Sequence, residues 1–186
     1  MLIETISKHI HLQENDKQQI AGSFKKEVFN NGEILLKEGS YTKHLYFIEQ
    51  GFIRSFYNKD NGTEKTHWVY TEQDFVTAWY SFFTDRPSFE SLQTLGKTSI
   101  YSISILEYRK LYESNESFNI FINSYYQHII AEMDFLTKTF THLSAKEKYQ
   151  YLLDTSPNLL REIKLGYIAS LLDISQETLS RVRGQN

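Results

Sequence analysis

Residues 162–186 read EIKLGYIASLLDISQETLSRVRGQN. Leu165, Ile168, Ala169 and Leu172 recur near helical spacing and mark a short helix. Leu172-Asp173-Ile174 reads as a tight turn with one apolar residue tucked into it. Ser175 is a good N-cap, because its hydroxyl can accept a backbone N–H from the first turn of a second helix, QETLSRVR. Leu179 and Val182 give that helix an inner face, and small Ala169 lets the two helices cross closely. This is the layout of a helix-turn-helix. Its outward residues Gln176, Glu177, Ser180 and Arg181 suit base edges: arginine donates twice to guanine, glutamine pairs with adenine, and glutamate accepts from cytosine. Ser175 and Thr178, with the free helix N-terminus, suit phosphate contacts. Two amphipathic helices of an ordinary bundle share this pattern, so the motif alone leaves both readings open.

Upstream, Ser144 precedes AKEKYQYLL and has Glu147 three residues on, the signature of a capping box and so of a new helix. Pro157 ends that helix and starts another short turn. The segment 117–143 has no Gly or Pro, and Phe118, Ile122, Tyr125, Ile129, Met133, Leu136, Phe140 and Leu143 step by three or four. The spacing predicts one long helix with an apolar stripe. Phe121, Ile130 and Phe135 lie off the stripe, and so broad an apolar surface implies two contacts, one to the preceding domain and one elsewhere. A second copy of the chain is expected there, with Phe118, Ile122, Tyr125, Ile129, Met133, Leu136 and Phe140 in the interface.

Between Phe24 and about Ile105 the period changes. FKKEVF, EILLK, LYFIEQ, FIRSFY, EKTHWVY, SFESLQTL and TSIYSIS are short apolar runs, each consistent with a strand. Asn31-Gly32, Glu38-Gly39, Gln50-Gly51, Asn61-Gly62 and Gly96 separate them as turn signals. Many short strands with regular turns predict a barrel or sandwich. AWYSFFTDRP at 78–87 reads as a helical turn and loop set into the sheet. Residues 1–22 read as short helical turns, with Asn15 as a candidate cap.

Composition narrows the class. Hydrophobic residues make up 40% of the 186, enough for a packed core, and aromatics 15%, which favours pleated surfaces. There is no cysteine, which excludes disulfides, iron–sulfur clusters and thiolate zinc sites within this chain. The N-terminal stretch has no secretory pattern and no run of 18 apolar residues occurs, so a cytoplasmic protein without a membrane span is expected. The net charge of −3 does not suit non-specific coating of nucleic acid, and charge alone would not suggest DNA.

Taken together, IASLLDISQETLSRVR resembles the helix-turn-helix of Crp–Fnr transcription regulators. NGEILLKEG and LYFIEQGFIRSFYNKDNGTEK resemble the first strands of a cyclic-nucleotide-binding β-roll, with Gly39, Gly51 and Gly62 at turns where that fold uses glycine. The resemblance covers nearly the whole chain in the right order. It implies an α+β architecture: a jelly-roll-like double-stranded β-roll sensor domain over 1–112, a dimerisation helix over 113–143, and a helix-turn-helix DNA-binding domain over 144–186. It implies a non-enzymatic regulator binding double-stranded DNA as a homodimer, with RNA polymerase as a further partner. Gln176, Glu177 and Arg181 fall at the family's base-reading positions.

Two departures stand out. The family usually carries a β-hairpin wing around or after the helix-turn-helix; the sequence given runs five residues past Arg181, and no C-terminal wing is expected. The phosphate cassette of cyclic-nucleotide binders uses a Gly-Glu pair and an Arg followed by a small residue. Here Thr77-Ala78 and Phe89-Glu90-Ser91 stand in those places, and Arg86 lies before Pro87. A carboxylate at Glu90 would repel a phosphate, so the cyclic-nucleotide site is expected to be lost and cyclic AMP not to act. Trp68, Phe75, Trp79, Tyr80, Phe82 and Phe83 either form a pocket for a flat apolar effector or simply fill the roll. No cofactor, metal site or catalytic residue is expected, although His67, His128 and His142 stay open as haem ligands. The rival reading is a cyclic-nucleotide or other small-ligand binding module without DNA function.

Overall fold

The computed structural model describes residues 1–184. The chain packs as two compact units: Met1–Ser55 with Val69–Gln127, and Phe56–Trp68 with the chain from His128 onward. The second unit therefore recruits the tip of a hairpin from the middle of the sequence.

In the first unit, α1 (Leu2–Ser7) and α2 (Glu14–Ser23) lead into a six-stranded sheet. Its strands are β1 (Lys25–Phe29), β2 (Ile34–Leu36), β3 (His44–Asn58), β4 (Glu64–Tyr70), β5 (Phe75–Val76) and β6 (Ser91–Ser104). Asn15, expected to cap a turn, lies inside α2, whose N-cap is Gln13. The sheet order is β1-β6-β3-β4, with β2 on β6 and β5 on β3. One half of β6 pairs antiparallel with β1, from Lys25↔Ser102 to Phe29↔Thr98, and the other half with β2, at Ile34↔Gln93 and Leu36↔Leu92.

Two glycines read as turn signals lie inside long strands. Gly51 sits within β3 at φ 95° and joins LYFIEQ to FIRSFY. A Cβ there would fall 2.8 Å from Thr98 Oγ1 and 2.9 Å from the Lys97 carbonyl, so the close approach requires glycine as well as the positive φ does. Gly96 likewise joins SFESLQTL to TSIYSIS within β6. Asn61-Gly62, by contrast, closes the β3–β4 hairpin: Lys59 N–H donates to the Thr63 carbonyl at 2.9 Å, and Gly62 N–H to the Lys59 carbonyl at 2.8 Å.

β3 is buried on both faces over 45–48 and 52–56, which suits the apolar runs on either side of Gly51. Tyr46, Ile48 and Ile53 join Leu36, Val76, Leu92 and Ile100 in one core. Leu45 and Phe47 join a second core with Ile6, Ile20, Phe24, Phe75, Phe82, Ile103 and Phe118. That second core is closed by α3 (Trp79–Thr84), α4 (Ile105–Ser114) and the first half of α5 (Glu116–Lys138). Ser104 caps α4 by accepting the Glu107 N–H at 3.2 Å.

In the second unit α5 ends at Lys138, short of the expected 143, and a 3-10 turn (Phe140–His142) follows. The helix stops because Leu143 is extended and Ser144 begins a complete capping box for α6 (Ala145–Thr155). Ser144 Oγ accepts the Glu147 N–H at 3.3 Å, and the Glu147 carboxylate accepts the Ser144 N–H at 2.8 Å. Ser144 Oγ–H also donates to that carboxylate at 2.6 Å, and the two donors from Ser144 hold the Glu147 carboxyl below its usual range. Pro157 occupies the first turn of α7 (Pro157–Glu162), where its missing N–H costs nothing. Two short helices, α8 (Leu165–Leu172) and α9 (Gln176–Gly184), follow. Among the described residues no helix is long and apolar enough to cross a membrane.

Candidate nucleic-acid interface

α8 ends in a Schellman turn. Asp173 N–H returns to the Ser170 carbonyl at 3.3 Å and Ile174 N–H to the Ala169 carbonyl at 3.0 Å. The turn needs one left-handed residue, and Asp173 takes it at φ 58°. Asp is one of the few residues besides Gly that visits this region readily. Ser175 then caps α9: its Oγ accepts the Thr178 N–H at 3.1 Å. Ile168, Ala169 and Leu172 of α8 and Leu179 and Val182 of α9 are buried. Gly166 adds to Ala169 as a point of close approach, since a Cβ there would lie 3.2 Å from Gln176 Nε2.

The opposite face of α9 is solvent-exposed and carries Gln176, Glu177, Ser180 and Arg181 together, one turn apart. Ser175 is exposed and Thr178 half-buried beside them. Arg181 Nη2 rests on Thr178 Oγ1 at 3.3 Å, which aims the guanidinium back toward the start of the helix. The bond from Ser175 holds the Glu177 carboxyl below its usual range, so it is an anion and an acceptor at neutral pH. Chemically, the face offers a fork of donors, an amide and a carboxylate side by side at a helix N-terminus.

The residues that sequence reasoning missed come from the β3–β4 hairpin and from α6. Lys65 Nζ pairs with Asp173 Oδ1 at 2.8 Å and also donates to the Ser170 carbonyl. Thr66 N–H donates to Ser170 Oγ at 2.9 Å. Lys148 of α6 donates to the Leu172 carbonyl at 3.3 Å. A chain separation of 105 between Lys65 and Ser170 leaves no local signal for such a contact.

The aromatic set does not surround one cavity. Phe75 and Phe82 are buried in the core shared with α4 and α5. Trp79 packs edge-on to Tyr126 at 5.7 Å and stacks with Phe83 at 6.0 Å, leaving Phe83 exposed. Tyr80 is exposed against Phe89 at 5.7 Å, and Trp68 belongs to the other unit. α3 has turned its apolar side toward the helices, so these rings fill space there. A cleft of about 440 Å³ lies elsewhere, lined among others by Phe29, Leu35, Tyr41, Tyr46, Glu27 and His44.

At the cassette positions, Thr77 and Ala78 are buried, with Thr77 Oγ1 bonded to the His44 carbonyl at 2.9 Å. Glu90 is buried too, close enough to the half-buried Tyr70 to add to the upward shift that desolvation imposes on its phenol. Arg86 is exposed and donates to Tyr80 OH at 3.2 Å. Arg54 of β3 lies inside the sheet, fully buried, and its Nε donates to Gln93 Oε1 at 2.8 Å. His67, His128 and His142 are all exposed, and no group of three metal-ligating side chains occurs among the described residues.

Of the expected interface residues on the long helix, Phe118 and Ile122 are buried within this chain, among Phe24, Phe75 and Tyr108. They have no surface left for a second copy, because α5 begins as the lid of the first unit's core. Tyr125 is half-buried and accepts the Phe75 N–H at 2.9 Å. Ile129, Leu136 and Phe140 are half-buried, and Met133 is exposed. Phe140 packs edge-on to Tyr151 of α6 at 5.5 Å.

Comparison with known proteins agrees with this architecture. Residues 26–115 match the cyclic nucleotide-binding domain family. No curated protein sequence is matched. Among solved structures, the catabolite activator protein of Thermus thermophilus superposes with a TM-score of 0.61 at 19% identity, covering 97% of this chain and 85% of that one. FixK2 of Bradyrhizobium japonicum gives 0.70 at 15% identity, covering 87% and 83%. A transcriptional regulator of the Crp/Fnr family from Eubacterium rectale gives 0.69 at 16% identity, covering 94% and 83%. Residues 26–115 thus match the cyclic nucleotide-binding domain family, in a chain that shares the fold of these three structures.

Proposed function

We propose that this chain is a DNA-binding transcription regulator of the Crp–Fnr type that binds a palindromic operator as a homodimer and does not answer to cyclic AMP. The observation that carries the reading is the exposed face of α9, where Gln176, Glu177, Ser180 and Arg181 stand beyond a Schellman turn and a Ser175 cap. Such a face supports the reading, because the second helix of a helix-turn-helix presents its exposed side to a major groove. In a two-fold dimer the two recognition helices enter successive grooves about 34 Å apart, so half-sites lie about 10 bp apart. Selection of bound duplexes from a random pool tests this. A two-fold symmetric consensus with that spacing is expected, and the absence of any enriched sequence contradicts it.

The second copy is supported by the far half of α5. Ile130 is 66% exposed and Met133 54%, and Phe135 is also exposed, on one helix. Large apolar side chains grouped in this way are costly to leave in water. The lack of response to cyclic nucleotide is supported by Thr77-Ala78 and the buried Glu90 at the cassette, where the pair that would hold ribose and phosphate is replaced. Calorimetric titration with cyclic AMP and cyclic GMP is expected to show no saturable heat at micromolar protein; micromolar binding of either overturns this part.

A further inference from the structure

The function proposed above uses α9 and leaves the hairpin tip without a role. Yet residues 56–68 pack with the helical unit, and two consecutive residues there hold the end of α8. The last turn of α8 has carbonyls without intrahelical partners and carries the negative end of the helix dipole. Lys65 places its ammonium on the Ser170 carbonyl and on the Asp173 carboxylate at once. Its side chain is only 16% exposed although that of Asp173 is 75% exposed, so the bond to the Ser170 carbonyl is the better shielded of the two. Thr66 adds a backbone N–H to Ser170 Oγ, and the threonine itself is buried. Asp173 is the left-handed residue on which the turn depends, and Ser175, two residues on, starts α9.

We infer that Lys65 and the Thr66 backbone are positioning residues for the recognition helix: the hairpin clamps the Ser170–Asp173 turn and so fixes where α9 begins. A hydrogen bond to a charged group that is lost from a shielded site costs about tenfold in the equilibrium it controls. This inference rests on the DNA-binding reading for its functional consequence, but the clamp itself does not.

The test uses the full chain with Lys65→Met, which keeps the stem and removes the charge, and Asp173→Asn, which removes the carboxylate while tolerating the left-handed turn. Thr66→Val is the control, because it keeps the backbone donor and removes a buried hydroxyl that has no hydrogen-bond partner. Hydrogen exchange at the Ile174 amide reads the turn directly. Exchange roughly tenfold faster in Lys65→Met and in Asp173→Asn, no more than slightly faster still in the double variant, and unchanged in Thr66→Val is expected. Operator affinity should fall in the same non-additive way. If Lys65 were only a phosphate contact, Asp173→Asn would strengthen binding and leave the amide untouched. Unchanged Ile174 exchange in folded Lys65→Met overturns the clamp. Faster exchange in a chain that selects no DNA sequence would keep the clamp and overturn the functional reading instead.

Discussion

The two halves of α5 carry equally apolar residues and treat them in opposite ways. In the first half Phe118, Phe121 and Ile122 are buried against the sheet and α4. In the second half Ile130, Met133 and Phe135 stand in solvent. One helix thus spends one end of its apolar surface on the fold of its own chain and leaves the other exposed. The lesson is that a long amphipathic helix reports how much surface must be covered, and not what covers it.

The largest effect should come from the buried half. Phe118→Ala opens a cavity beside Phe24 and Tyr108, and a phenylalanine truncated in a packed core costs about 3–5 kcal/mol. Urea unfolding of the first unit should show this loss, and a cost under 1 kcal/mol would mean the lid is loosely packed. The exposed half should behave differently. Ile130→Glu with Met133→Glu should leave the unfolding midpoint of the separated chain nearly unchanged while shifting sedimentation from dimer to monomer. Each side chain buried between copies is worth about 1.5–3 kcal/mol. An unmodified chain that sediments as a monomer at micromolar concentration would end the comparison, since the exposed half would then have no partner in a second copy.

Much of the local structure was written in the residues. Ser144 and Glu147 announced the start of α6, and Leu172-Asp173-Ile174-Ser175 announced both the turn and the cap of α9. These are short-range hydrogen bonds, and their donors and acceptors lie three to five positions apart. Gly51 and Gly96 were legible as special backbone but not as continuations of a strand, because a positive φ closes a hairpin or kinks a ladder according to what lies opposite. The long helix was read too far because Phe140 keeps the helical spacing, yet its ring is held by Tyr151 rather than by the helix. The aromatic set left two readings open for a related reason. Alternation puts Phe75 and Tyr70 on some face of the sheet, but only packing decides that α3 turns Phe82 toward α4 and leaves Phe83 outside. The Lys65 contact could not be read at all, since nothing local to a hairpin lysine names a carboxylate more than a hundred residues away.

The central claim is that α9 reads base pairs, and Arg181→Ala tests it most directly. Affinity is measured for a selected operator and for random duplex DNA at one salt concentration, because phosphate contacts make every value salt-dependent. A bidentate arginine–guanine pair is worth about 1–3 kcal/mol, so two copies in a dimer should cost the operator roughly 2–6 kcal/mol. Random DNA should change far less, since Lys164, Arg183 and the backbone amides can still meet phosphates. An equal loss on both DNAs would place Arg181 on the backbone, and no loss on either would contradict the account by showing that α9 does not read DNA.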